Sequence, residues 1–229
     1  MKLPFPLPRL TAIIGGGGKT TLMYALGRRA AAEGKSVLLT TTTHLAWPPP
    51  GHIPYLAPAD EGELWAAVRP GQAVLAGYPA ERGRMTGLSP SMLERACSHF
   101  DCVICEADGS RGLPLKWHRE DEPCVPPGTD LLFQVAGLSA LDRPAGEVLH
   151  RWKAAGYEED HRVTEADVVH LVRRAFAHCG ETDSKACLLN QADTLAEEGR
   201  GERIAQALAA GGIPCGVCVL KEEDIRCWY

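Results

Sequence analysis

Several things are missing from this 229-residue chain, and each absence removes a class of function. No apolar run approaches the roughly 20 residues of a membrane-spanning helix. The first eight residues carry three prolines and lack the uninterrupted apolar core of a secretion signal. There is no excess of positive charge: 24 Lys and Arg stand against 29 Asp and Glu, for a net charge of −5. Nothing general therefore draws the chain to nucleic acid. A cytoplasmic protein is expected, with neither membrane nor nucleic acid as partner. The nine cysteines are an odd number, scattered as in a reducing compartment rather than a disulfide framework. Cys102 and Cys105 fall in an apolar strand, where their side chains face opposite ways and serve packing. Cys215 and Cys218, with Cys227 nearby, are open to packing or to holding a metal or soft ligand. No second Cys-x-x-Cys at zinc-finger spacing completes a four-ligand set. Internal repeats are absent too. A hydrophobic share of 45% with 23% charged residues is enough for one well-filled core.

What is present begins at Thr11-Ala-Ile-Ile-Gly15-Gly-Gly-Gly18-Lys19-Thr20-Thr21-Leu-Met23. An apolar strand, four glycines, a lysine, two hydroxyls and a helical segment follow in the order of a phosphate-binding loop. Gly15, Gly16, Gly17 and Gly18 let the backbone turn tightly and bring its amides against phosphate oxygens. The following helix adds its positive end. Lys19 is expected to reach the β- and γ-phosphates, with Thr20 on Mg²⁺ and Thr21 beside it. The usual spacing asks for glycine at position 13, where this chain has Ile13. The turn is therefore expected to be shortened onto Gly15 or Gly16.

Strand and helix patterns then alternate. Strands are expected at Thr11–Ile14, Ser36–Thr40, Ala73–Ala76, Cys102–Glu106, Leu131–Val135, Lys185–Leu189 and Cys215–Leu220, the last of them. Helices are expected at Thr20–Ala32, Glu61–Val68, from the Ser89-Pro90 cap to about His99, at Thr164–Cys179, and from the Thr194…Glu197 capping box to about Ala210. Pro48-Pro49-Pro50 reads as a loop. The pattern implies an α/β fold of the P-loop NTPase kind, a mostly parallel sheet with helices on both faces, in one nucleotide-binding domain over residues 1–229. Residues 107–129 form a long polar loop, a length that is often functional.

The polar clusters fall at the carboxyl ends of strands, where such sheets bind ligands. Glu106, ending an apolar strand downstream of the phosphate loop, is placed to hold Mg²⁺ or its water, and Gly109 to sense the γ-phosphate. Asp108 is open to orienting a water or contacting the metal. Arg111 is placed to neutralise phosphate charge or to grip a second anion. Lys116 and His118 are candidates for the same task, and Thr42, Thr43 and His44 for ligand or switch contacts. Asn190-Gln191-Ala192-Asp193 closes a strand in the Asn-x-x-Asp order that reads guanine, with Gln191 where lysine usually stacks on the base.

Taken together, Gly15–Met23, Leu38–His44, Glu106–Lys116, Glu122-Pro123, Val125-Pro126 and Leu189–Asp193 resemble the YqeC-type accessory proteins of selenium-dependent hydroxylases. The resemblance runs from about Ile13 to Asp193, and Glu106–Lys116 is its most specific part. It implies a P-loop protein, using Mg²⁺ with GTP or ATP, that serves the maturation of a molybdenum hydroxylase client. Its cargo would be a molybdenum cofactor component or selenium. The Glu106-x-x-Gly109 and Asn190-x-x-Asp193 elements are more distantly similar to the metal-delivery GTPases of the HypB, UreG and CobW kind. These imply a slow nucleotide switch and a homodimer around the nucleotide. Two other readings stay open. One is a phosphoryl or nucleotidyl transferase that grips a small anionic acceptor through Arg111, Lys116, His118 and Arg151. The other is a carrier or scaffold that binds nucleotide without hydrolysing it.

Overall fold

The structure, a computed structural model, describes residues 3–47, 53–179 and 182–229. The Pro48–Pro50 loop lies outside the described residues. Strand β1 (Leu10–Gly15) leads into helix α1 (Lys19–Ala32) and strand β2 (Val37–Thr41). The short strands β3 (His44–Ala46) and β4 (Tyr55–Leu56) precede α2 (Glu61–Ala66) and β5 (Ala73–Ala76). A hairpin of β6 (Tyr78–Ala80) and β7 (Arg84–Thr86) is followed by α3 (Pro90–Ala96) and β8 (Cys102–Glu106). Next come β9 (Leu115–Lys116), β10 (Leu131–Gly137), α4 (Ala145–Val148) and β11 (Leu149–His150). Helix α5 (Glu165–His178), β12 (Ser184–Asn190), α6 (Leu195–Ala209), β13 (Cys215–Val219) and β14 (Asp224–Trp228) complete the chain.

Nine strands form the main sheet in the order β14-β13-β12-β10-β1-β8-β2-β5-β4. All neighbours are parallel except the β13–β14 pair at one edge. β1, β2, β8, β10 and β13 are buried at every residue, which is why they read as continuous apolar runs. Alternate side chains serve opposite faces. Ile13 packs with Leu22, Met23 and Leu26 of α1, whereas Ala12 and Ile14 pack with Val168 and Val172 of α5 and Ile204 and Leu208 of α6. Leu38 and Val103 meet Leu64 of α2 and Leu93 of α3. Helices thus cover both faces, as the alternating pattern requires.

The predicted caps form. Ser89 accepts from Met92 N with Pro90 opening α3, and Thr194 and Glu197 make the reciprocal capping box of α6. Three expectations need correction. Helix α3 ends at Ala96 rather than near His99, because Ser98 N and His99 N bond back to Arg95 O and Ala96 O in tighter turns. Cys215–Val219 is not the last strand: β14 adds antiparallel to it across an irregularity between Val217 and Cys218, so Ile225 and Trp228 pack on one face and Cys227 on the other and no simple alternation marks the strand. The 107–129 segment is not wholly irregular, since Leu115 and Lys116 pair with Leu149 and His150. A separate three-stranded sheet, β3-β7-β6, was not legible in the pattern; Pro79 and the arginines around the turn interrupt any alternation.

Candidate functional site

β1 lies at the centre of the main sheet between β8 and β10, so the Gly15–Gly18 loop emerges where the carboxyl ends of three strands converge. Ile13 is a core residue of β1, and the turn is made two residues later. Gly15 has φ 98°, and a Cβ there would lie 2.2 Å from Val135 O. Gly17 has φ 77°, and its Cβ would lie 2.7 Å from Gly137 N. Only glycine fits either position.

The loop amides divide into two groups. Gly15 N donates to Asp108 Oδ2 at 2.9 Å, Gly16 N to Val135 O at 2.9 Å and Gly17 N to Leu113 O at 3.1 Å. Those three shape the loop rather than await a ligand, which corrects the expectation that the whole run cradles phosphate. Leu22 N is the donor that bonds Gly18 O, so the amides of Lys19, Thr20 and Thr21 lie in the unsatisfied first turn of α1. Gly18 caps this helix without a side-chain cap, and its first turn carries no acidic residue. These amides, with Lys19, Thr20 and Thr21, line a cavity of about 470 Å³. The cavity thus opens on the positive end of a 14-residue helix, a setting that favours anions.

Glu106 closes this cavity from the end of β8. Its Oε2 accepts from Thr20 Oγ1 at 2.7 Å, and its Oε1 lies 3.7 Å from Lys19 Nζ. Burial pushes the Glu106 carboxyl above the usual glutamate range, against the pull of Lys19 and Thr20, and the Asp108 charge adds to the push. The Thr20 hydroxyl and the Glu106 carboxylate are two hard oxygens side by side. That pairing suits Mg²⁺, which takes one or two protein oxygens and completes its shell with phosphate and water. Among the described residues no cluster of three or more His, Cys, Asp or Glu is arranged to hold a metal by itself.

Asp108 is fully buried. Besides Gly15 N it meets Lys19 Nζ at 3.1 Å, His118 Nε2 at 2.5 Å and Lys116 Nζ at 3.4 Å. Burial pushes its carboxyl up, but Lys19, His118 and Lys116 outweigh that and hold it far below the ordinary aspartate range. Through Oδ2 it ties Gly15, at the start of the glycine loop, to His118 and Lys116. Lys116 and His118 are buried as well, turned toward Asp108, and Lys116 also meets Glu122 Oε2 at 3.0 Å. The expectation that these two contact ligand gives way to this supporting role. Glu122 is in turn clamped by both guanidinium nitrogens of Arg151. The result is a chain of alternating charge, Glu106–Lys19–Asp108–Lys116–Glu122–Arg151, leading away from the phosphate loop.

The model of the family described as YqeC protein matches residues 11–153, which hold the phosphate loop, Glu106, Asp108, Lys116, Glu122 and Arg151. The chain belongs to the YqeC family. The protein YqeC of Escherichia coli (strain K12) is 33% identical over 175 residues, 72% of this chain and 68% of that protein. Among solved structures, chloroplast FtsY from Physcomitrella patens superposes with a TM-score of 0.50 at 18% identity. That alignment covers 95% of this chain but only 61% of the FtsY chain. At that identity the likeness shows the fold alone, a P-loop NTPase-like α/β architecture.

The remaining predicted residues of this YqeC-family chain distribute as follows. Thr42 Oγ1 donates to Cys124 O at 2.7 Å, tying β2 to the long loop. Thr43 and His44 line a second cavity of about 950 Å³, together with Gly109 and Arg111. Asn190 Nδ2 donates to Gly17 O at 2.6 Å while its Oδ1 accepts from Leu220 N at 2.9 Å, so its amide clamps the phosphate loop to the segment after β13. Asp193, on the surface, pairs with Lys221 at 2.7 Å. Gln191 turns aside, its Oε1 accepting from Ser139 Oγ at 2.6 Å. Cys215 and Cys218 do not make a site: both are buried, they belong to core clusters on opposite faces of β13, and burial pushes both thiols up. Cys102 and Cys105 likewise pack on opposite faces of β8.

Sequence reasoning missed Glu122 as a site residue, and also Arg82 and Arg84, which reach the second cavity from the β6–β7 turn and the start of β7. The one available signal was the basic turn Arg82-Gly83-Arg84. Glu122 carries a prediction of its own. Burial raises its pKa, but Arg151 and Lys116 prevail and hold it at about 2 against an ordinary 4.5. Its contribution to stability is thus complete above about pH 4.5 and is lost as pH falls through about 2. Glu122→Gln is expected to flatten the stability curve between those limits, as measured by urea unfolding at stepped pH; an unchanged slope would count against the pairing.

Proposed function

We propose that this protein is a Mg²⁺-dependent nucleotide-binding protein and slow NTPase that acts as an accessory factor in maturing selenium-dependent molybdenum hydroxylases. The observation that carries the nucleotide reading is the juxtaposition of Lys19, Thr20 and Glu106 at the uncapped N-terminus of α1. Lys19 and the first-turn amides would hold the phosphates, and Thr20 and Glu106 would hold Mg²⁺, which supplies charge neutralisation at the β- and γ-phosphates. Arg111, at the mouth of the same cavity, would add positive charge where it develops on transfer. The Asn190-x-x-Asp193 order, with Asn190 bonded to the glycine loop, favours a guanine-reading end in which Asp193 would exchange Lys221 for the base, and GTP is the favoured ligand over ATP. The molybdenum and selenium setting, a cytoplasmic location and a client hydroxylase rest on the resemblance to the accessory family, and a homodimer on the more distant likeness to metal-delivery GTPases. The second reading, transfer to a small anionic acceptor, is favoured by the arginine-lined cavity next to the phosphate loop.

Calorimetric titration of nucleotide-free protein with GTP, ATP and CTP in Mg²⁺ tests this. GTP is expected to bind most tightly, and Asp193→Ala to weaken GTP about tenfold or more while leaving ATP unaffected. Preference for ATP or CTP would return Asn190-x-x-Asp193 to a structural turn. No binding of any of the three would overturn the reading.

A further inference from the structure

The 950 Å³ cavity beside the phosphate loop is lined by five arginines, Arg82, Arg84, Arg111, Arg119 and Arg151, against two glutamates. This concentration of positive charge occurs on a chain whose net charge is −5, so it is local and concave rather than a general property of the surface. Its arginines differ in what holds them. Arg119 meets Asp121 at 2.9 Å, and Arg151 is clamped on Glu122. Glu122 also meets Lys116, so its charge is more than balanced. Arg82, Arg84 and Arg111 have no carboxylate partner among the described residues, and all three are exposed. His150 is also on the wall. Burial first, then the charges of Arg151, Lys116 and Arg111, push its imidazole down to about 4.

The backbone points the same way. Six described non-glycine residues have positive φ, and three of them are cavity arginines: Arg82 at 58°, Arg111 at 54° and Arg151 at 68°. Arg82 and Arg111 are each followed by a glycine that is also left-handed, Gly83 and Gly112, so two separate chain segments present an arginine on the same kind of turn. Non-glycine residues hold such conformations where the surrounding structure imposes them, and these positions cluster at ligand sites. Arg82, Arg84 and Arg111, with His44 and Gly109, also line the phosphate-loop cavity, so the two spaces are contiguous.

We infer that this cavity is a second ligand site, adjoining the phosphate loop, for a small phosphate-bearing molecule held by Arg82 and Arg84, with Arg111 at the junction of the two spaces. Planar guanidinium forks match phosphate oxygens two at a time, and unpaired arginines have no carboxylate to surrender when the ligand arrives. The volume suits a metabolite-sized ligand. The inference rests on the proposed nucleotide reading only for what lies next door; the site itself stands on the arginines.

Pyrophosphate is the probe, titrated calorimetrically at low salt into Lys19→Ala, in which the phosphate loop is disabled, and into wild-type protein saturated with Mg²⁺ and a non-hydrolysable GTP analogue. Binding is expected in both, weakening steeply with added salt. The double variant Arg82→Gln/Arg84→Gln, combined with each background, is expected to weaken it roughly hundredfold, about tenfold for each arginine. Both side chains are exposed, Arg82 on the turn and Arg84 at the start of β7, so the fold is expected to be retained, which near-ultraviolet circular dichroism checks. Absence of pyrophosphate binding in both backgrounds overturns the site, as does binding that the double variant leaves unchanged. If wild-type protein fails to bind nucleotide but the Lys19→Ala protein binds pyrophosphate through Arg82 and Arg84, the nucleotide reading falls and this site stands.

Discussion

Asp108→Ala is expected to lower the unfolding free energy by about 3–5 kcal/mol, with a drop in melting temperature of roughly 10 °C for a chain of this size. Asp108 has no solvent exposure, and around it sit Lys19, Lys116, His118 and the Gly15 amide. Exchanging a whole buried ion pair for apolar residues is often neutral, but removing one member is not, because the buried charges left behind are under-compensated and away from water. Lys116 would keep Glu122 at 3.0 Å, and Lys19 would keep Glu106 at 3.7 Å. Gly15 N would keep nothing, at the residue whose left-handed φ starts the phosphate loop. Asp108→Asn retains an acceptor for that amide and is expected to cost less than the alanine. Nucleotide affinity should fall with both, in the same order, since the loop loses its anchor. Urea unfolding of the two variants measures the gap. A loss below about 1 kcal/mol for Asp108→Ala would mean that the network is incidental to the fold.

This carboxylate also shows where sequence reading reaches its limit. An acidic residue two positions past a strand, before Gly109-Ser-Arg, looks solvated, and nothing local reveals that Lys116 and His118 fold back to bury it. Its surroundings come from a loop, and loop paths are set by long-range contacts such as β9 on β11. The glycine turn between β1 and α1 was legible for the opposite reason. Its chemistry is contiguous: β1, the glycines, Lys19, Thr20 and α1 follow without interruption, and Glu106 ends a strand whose apolar run is unmistakable. The sheet was readable because strands buried on both faces must be apolar throughout. β14 and the β3-β7-β6 sheet lie at edges or outside the core, where burial imposes less on the sequence. Arg82 and Arg84 therefore looked like ordinary surface charges until the fold set them opposite Arg111.

Lys19→Ala is expected to reduce nucleotide affinity at least about hundredfold, equivalent to roughly 2.8 kcal/mol. Lys19 Nζ donates to Gly15 O at 2.8 Å and stands between Asp108 and Glu106, at 3.1 and 3.7 Å. It thus screens two buried carboxylates from whatever enters the loop. Without it, incoming phosphates lose a charge-assisted donor and also face those two negative charges unshielded, so the effects add. The free protein should suffer less, because Asp108 keeps Lys116 and His118 and the raised pKa of Glu106 lets it take up a proton more readily than an ordinary glutamate. A melting temperature only a few degrees lower is expected, which separates lost binding from lost folding. Thr20→Val supplies the contrast. It removes the hydroxyl that meets Glu106 at 2.7 Å but leaves the lysine in place. The valine protein should therefore lose only the Mg²⁺-dependent part of its affinity, whereas the alanine protein loses affinity with and without the metal. Calorimetry of both variants in Mg²⁺ and in chelator decides the matter. A Lys19→Ala protein binding within about threefold of wild type would mean that the first turn of α1 holds phosphate by its amides alone.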